Sequence, residues 1–336
     1  MTFSVDTTST GIHSRSEATV KISRAFDRGR ATRSELDRTF RTDASNFVKL
    51  QIASGFTRVS DGQIKWQDFM RPFSESLIGL RSGADLSRWY DTNSFYRKPS
   101  VIDSIKAPRD SFLVDYEVQE AFKIPKSKKV KRKISIPGPY TLASLVALEH
   151  KETRIELIDE FAQALRQVIE ALPAIGFESV QINEPSLVYR YGESALTNKE
   201  HLHAFLNAFT KHLSKLPIEV YLHTYFGDCS KILNELLTLN GLSALGVDFT
   251  QTSLNDIESC KFDETALACG CVDGRNSLVE SPNWISKFCV ESVRSLKPRG
   301  LVILPSCELK YLPRAHADAK IRAIGEASEI IRRKLN

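Results

Sequence analysis

From about residue 134 to the end, short apolar stretches alternate with amphipathic helical ones, and this rhythm constrains the fold more than any other feature. "RKISIPGPYT" reads as a strand that meets a Gly-Pro turn. Residues 154–174 place Ile155, Leu157, Ile158, Phe161, Leu165, Val168, Ile169 and Leu172 at helical spacing. "FESVQINEPS" is the next strand, and "NKEHLHAFLNAFTKHLSKL" the next helix. "IEVYLHTYF", a helix near 229–239, "SALGVDFTQ", "ALACGCVDGRN", a helix near 282–296, "GLVILPSCE" and a long helix after Ala315 complete the series. Repeated strand–helix units imply a parallel sheet with right-handed crossovers. No Gly-rich phosphate loop follows the first strand, which argues against a dinucleotide-binding fold. Polar residues gather where strands stop, and that pattern predicts a (β/α)8 TIM barrel with its site at the C-terminal rim. The less regular N-terminal part is expected to supply a strand near 2–8, helices between 15 and 55, and a strand at "FTRVSDGQ". No Ser/Gly linker divides the chain, so residues 1–336 are expected to form one domain.

Composition excludes several classes. There is no uncharged apolar run of about 18 residues, so no membrane span is expected. "MTFSVDTTSTGIHSRSE" lacks the basic and apolar regions of a secretory signal. Six cysteines in 336 residues are too sparse for a disulfide framework, which favours a reducing cytoplasm. The net charge is +5, unevenly placed: "KIPKSKKVKRK" (123–133) holds seven Lys or Arg and no acid. This stretch is expected to be a basic hairpin excursion near 110–135. Without interleaved aromatics it carries no nucleic-acid signature. Its ordinary reading is a solvated surface excursion; in the functional reading Lys126, Lys128, Lys129, Lys131, Arg132 and Lys133 contact an anionic tail or an acidic partner.

Side chains two apart on a strand share a face. Ile218, Val220 and Leu222 are therefore expected to face the helices, with Glu219, Tyr221, His223 and Tyr225 facing the barrel axis. Likewise Leu245, Val247 and Phe249 face outward and Asp248 inward, while the last strand ends near Cys307. Asn183 and Glu184 would point to opposite sides. His, Asp and Cys at successive strand ends are a zinc-compatible donor set. Taken singly, each has an ordinary reading: a hydrogen-bonded His, a capping Asp, a buried Cys. Cys269 and Cys271 share a strand face, with packing as their expected role.

Seven segments in one order, "STGIHSR", "WYDTNSFYRKP", "PGPYTL", "VQINEPSLV", "TYFGD", "VDGRN" and "PSCELKYLP", resemble the cobalamin-independent methionine synthase family. Full-length members carry two similar barrels in tandem, and "YDTN", "TYFGD", "VDGRN" and "PSC" are most like the N-terminal one. The resemblance implies methyl transfer from methyl-tetrahydrofolate or another methyl carrier to a small thiol such as homocysteine. Zn2+ would lower the thiol pKa and orient the thiolate. Carried over by position, the family's metal ligands become His223, Asp248 and Cys307, with Tyr225 where the family has a second Cys. "CELK" and "VES" (279–281) also lean toward the catalytic barrel, whereas Tyr225 and Asp248 lean away. The loop Gly11, Ile12, His13 and Ser14 would bind the substrate's carboxylate, and Asn183 and Glu184 its polar end. Asn183 replaces a family Asp that contacts an ammonium group. The alternative implied role is a non-catalytic companion subunit, equivalent to a detached N-terminal barrel, that binds folate or docks on a separate zinc-bearing barrel.

Overall fold

The computed structural model describes residues 3–110, 112–123, 130–149, 153–190 and 195–335. Eight strands form one sheet: β1 (Ser4–Thr7), β2 (Arg58–Val59), β3 (Lys131–Pro137), β4 (Ser179–Asn183), β5 (Glu219–His223), β6 (Leu242–Asp248), β7 (Ala266–Val272) and β8 (Gly300–Pro305). Each strand pairs in parallel with its neighbour in sequence from β2 to β8, and β8 pairs with β1. Between β1 and β2 the backbone ladder gives way to a reciprocal threonine bridge. Thr7 N donates to Thr57 Oγ1 at 3.0 Å, and Thr57 N donates to Thr7 Oγ1 at 3.1 Å. The two hydroxyls satisfy amides that an open sheet edge would leave unpaired. The sheet is thus a nearly closed (β/α)8 barrel.

The main helices are α1 (Glu17–Asp27), α2 (Arg33–Ala53), α3 (Arg154–Glu170), α4 (Lys199–His212), α5 (Pro282–Leu296) and α6 (Arg314–Leu335). Sequence sets their ends. Thr153 and Glu156 form a capping box at the start of α3, and Asn198 and Ser281 cap α4 and α5 through their side chains. α3 buries Leu157, Ile158, Phe161, Leu165, Val168 and Ile169, the stripe expected from its periodicity. It stops at Glu170, short of the expected 174, because Pro173 opens a separate 3-10 turn. Near 229–239 only Leu233–Leu236 is helical. Among the described residues, no helix is long and apolar enough to cross a membrane.

The excursion lies elsewhere than expected. Residues 78–106 fold into antiparallel pairs, Ile78–Arg81 with Ser100–Lys106 and Leu86–Arg88 with Phe95–Arg97. The C-terminal part of the basic run is barrel strand β3. Lys131 forms an ion pair with Glu219 at the base of the barrel. Arg132 points outward, its guanidinium 4.1 Å from the Phe122 ring and 4.7 Å from the Phe177 ring. Lys133 is fully buried inside the barrel, where Nζ donates to Ser9 O at 2.6 Å and to Gln181 Oε1. Lys133 is committed to the barrel interior and Arg132 to two rings, whereas Lys131 is paired with Glu219 but keeps a side chain 42% exposed. A charged run reads as solvated only until the sheet closes and gives it a polar interior. Lys126, Lys128 and Lys129 fall outside the described residues.

The barrel interior is narrow and mixed. Tyr221, Ala244, Ala268, Val302 and Leu304 form a small apolar cluster, separate from the large core between strands and helices. The interior also holds Lys133, Ser135, Gln181 and Asn183, all buried. The expected alternation on β5 and β6 follows, with Val220, Leu222, Leu245 and Val247 in the outer core.

Candidate functional site at the barrel mouth

The C-terminal rim brings buried acids, a histidine and a thiol under a layer of aromatic rings. His223 ends β5 in register with Asn183 of β4. Its ring lies over two glycines. A Cβ on Gly246 would come within 2.1 Å of His223 Nδ1, and one on Gly270 within 3.4 Å of Cε1. Those bare backbones on β6 and β7 let the imidazole reach across the barrel, where Nε2 donates to Ser306 O at 2.8 Å. Burial holds its pKa down to about 4, so the ring is neutral near pH 7. Nδ1 has no hydrogen-bond partner and faces the barrel wall.

Asp248 faces inward but caps the turn that follows its own strand. Its carboxylate accepts from Thr250 N at 2.9 Å, Thr250 Oγ1 at 2.6 Å and Phe226 N at 3.2 Å. Burial raises its pKa to about 6. Tyr225, at the family's Cys position, donates to Glu308 Oε1 at 3.2 Å, and Tyr311 donates to Oε2 at 3.1 Å. Cys307 is buried, and burial together with Glu308 and Asp248 pushes its thiol well up.

The implied zinc ion does not fit these residues. His223, Asp248 and Cys307 do not present donor atoms as one cluster. Among the described residues, the group with three such atoms within 4.8 Å of one another is Cys269, Cys271 and Cys289. His223 is turned into the wall, the Asp248 oxygens are occupied, and Tyr225 is a hydrogen-bond donor.

The expected substrate contacts are also engaged. Glu184 turns away from the axis, as strand alternation requires, and accepts from Tyr140 N at 2.9 Å, Thr141 N at 2.7 Å and Thr141 Oγ1 at 2.6 Å. It thereby caps the short helix Pro139–Leu145, and burial lifts its pKa to about 8. Gly138 is required there, because a Cβ would lie 2.2 Å from Glu184 Oε1. Asn183 points inward, accepts from Gln181 Nε2 at 2.8 Å, and leaves Nδ2 buried without a partner. The loop 11–14 is packed rather than open. Gly11 N donates to Ser135 Oγ, His13 N to Gly62 O, Ser14 Oγ to Leu312 O, and Ile12 O accepts from Lys310 N. His13 stacks on Phe47 at 3.9 Å and bonds Asp318 at 2.9 Å.

A strap from the excursion, residues 88–92, crosses the mouth. Trp89 stacks on Phe69 at 6.1 Å, and Tyr90 meets Tyr189 at 4.8 Å and Phe226 at 5.5 Å. Tyr90 and Phe226 both adopt left-handed backbone, φ 49° and 70°, a strained geometry that clusters at functional sites. Asp91 pairs with Arg275 at 3.2 Å. Beside the strap lies a cavity of about 410 Å³, lined among others by Arg88, Tyr90, Tyr140, Arg154, Tyr189 and His201. Sequence reasoning missed Glu308 and the strap's place over the mouth; the only signal was their position inside "PSCELKYLP" and "WYDTNSFYRKP".

Residues 81–288 match the family model described as cobalamin-independent synthase, N-terminal domain. The chain belongs to the cobalamin-independent synthase family. Relatives include the methionine synthase of Sulfolobus acidocaldarius, 24% identical over 317 residues, covering 94% of this chain and 88% of that protein. The methionine synthase of Saccharolobus solfataricus is 26% identical over 310 residues, covering 91% and 89%. Among solved structures, a B12-independent methionine synthase from Shewanella superposes with a TM-score of 0.76 at 16% identity, covering 98% of both chains. One from Listeria monocytogenes, a putative vitamin-B12-independent methionine synthase, gives 0.69 at 15% identity and 96% of both. These likenesses establish the barrel architecture.

Proposed function

We propose that this barrel serves cobalamin-independent methyl transfer as a non-catalytic companion, binding a folate-type or other methyl carrier and working with a separate zinc-bearing subunit. The observation that carries this reading is the commitment of His223, Asp248 and Tyr225 to carbonyl, amide and carboxylate partners. A zinc–thiolate mechanism needs donors free to converge on one ion with a position left open. The cavity beside the strap supports the carrier role, since tyrosine rings with arginines suit a planar, anionic molecule.

A second reading, a single-barrel S-methyltransferase acting on homocysteine or a similar thiol, is favoured by one observation. Relatives of this length bear the name methionine synthase, and the chain spans 88% and 89% of two of them. Metal analysis of the purified, unsupplemented chain separates the two. The companion reading expects metal content to be the same in wild type, His223→Ala and Cys307→Ala. Near-stoichiometric zinc, lost in both variants, would overturn it in favour of the methyltransferase.

A further inference from the structure

The other face of β7 carries a second cluster. In "ACGCV" the strand alternates, so Gly270 faces the barrel axis under His223 while Cys269 and Cys271 belong to the outer core. There they meet Cys289 of α5. The Sγ separations are 3.8 Å for Cys269–Cys289 and 3.9 Å for Cys271–Cys289, and all three sulfurs lie within 4.8 Å of one another. All three are free thiols and are buried.

We propose that Cys269, Cys271 and Cys289 form a trigonal thiolate site for one soft, thiophilic metal ion of the Cu(I) class. A three-coordinate ion with metal–sulfur bonds of about 2.3 Å holds its sulfurs about 4.0 Å apart, close to the spacing found. The ions that favour three soft sulfurs differ from zinc, which requires a fourth donor or a water. No fourth His, Cys, Asp or Glu joins the group among the described residues, and the surrounding core is apolar. Each ligating thiol gives its proton to solvent as the ion enters, so uptake releases protons. The two near neighbours on one strand hold their sulfurs side by side without bonding, and Cys289 on α5 closes the triangle. An ion here ties β7 to α5 and stands independent of whatever the barrel mouth binds.

The test is an anaerobic Cu(I) titration of the full chain, both native and refolded from urea with the ion present. It is read by equivalents bound and by thiolate-to-copper absorption in the ultraviolet. Wild type is expected to take up about one equivalent, with a binding ratio set by the three-sulfur site. Cys289→Ser and Cys271→Ala are expected to bind at least about tenfold more weakly, the loss already typical of an outer-shell change. Cys260→Ala, which leaves the cluster intact, should match wild type. Circular dichroism establishes that each variant folds. If Cys289→Ser does not fold, Cys269→Ala and Cys271→Ala decide the matter. Binding by any folded cluster variant equal to wild type, or no copper uptake by wild type in either arm, overturns the site.

Discussion

The two ends of this barrel handle buried charge in opposite ways. At the N-terminal end, Arg58 pairs with Asp6 at 2.9 Å and Glu219 at 2.9 Å, and Lys131 joins Glu219. Anion meets cation, at groups still partly in water. At the C-terminal mouth, Glu184, Asp248 and Glu308 are buried and held mainly by amides and hydroxyls. Burial raises all three pKa values. Two cations act there through space rather than by pairing: Lys310, whose ammonium lies 5.8 Å from the Trp89 ring, attracts Glu308, and Arg275 attracts Asp248. The contrast shows where stability is secured by paired charge and where the fold retains acids poised above the ordinary carboxylate range. Such poising is the usual mark of a functional rim.

The largest effect expected from breaking this contrast is at Glu184. Glu184→Ala strands two helix amides and a hydroxyl in a dry site, and should cost about 3 kcal/mol in urea unfolding. Its titration gives a sharper check. The folded chain keeps a proton on Glu184 up to about pH 8, whereas the ordinary value is 4.5. The folded state therefore binds more protons across that interval. The stability this supplies is complete below the unfolded value and is lost as pH rises through about 8. Glu184→Gln should flatten the fall in melting temperature between about pH 5 and pH 8. A slope identical to wild type would show that the mouth does not hold its acids as described.

At the opposite end, Arg58→Met removes one cation between two carboxylates, with the arginine side chain 10% exposed. The expected loss is about 2 kcal/mol, below that for a fully buried pair because both acids retain water. The effect should also weaken at high salt. A salt-independent loss would mean that packing over Tyr221, 5.4 Å from the guanidinium, outweighs charge.

The smallest effect on stability is expected at the strap. Asp91→Ala breaks an exposed pair with Arg275 and should cost less than about 1 kcal/mol. Its consequence for access should be larger. Cys307, buried against Gly274 next to Arg275, should react faster with a thiol reagent in Asp91→Ala than in wild type. Unchanged reactivity would show that the aromatic contacts alone keep the mouth closed.

Much of this was legible in the sequence. Alternation on "IEVYLHTYF" and "SALGVDFTQ" placed Tyr221, His223 and Asp248 inward, and the strand–helix rhythm fixed the barrel. Helix ends followed from caps and prolines such as Thr153 and Pro173. These are local properties: a side chain's face depends on its own strand, and a cap lies within one turn. What those inward residues touch depended on tertiary structure. His223 bonds a carbonyl 83 positions away, across two glycines on other strands. Lys133 looked solvated until its strand closed the barrel. Cys269 and Cys271 looked like packing residues until α5 brought Cys289 against them. A strand's period dictates direction, but only the folded chain brings distant segments together and decides whether a donor meets a partner, a ligand or a wall.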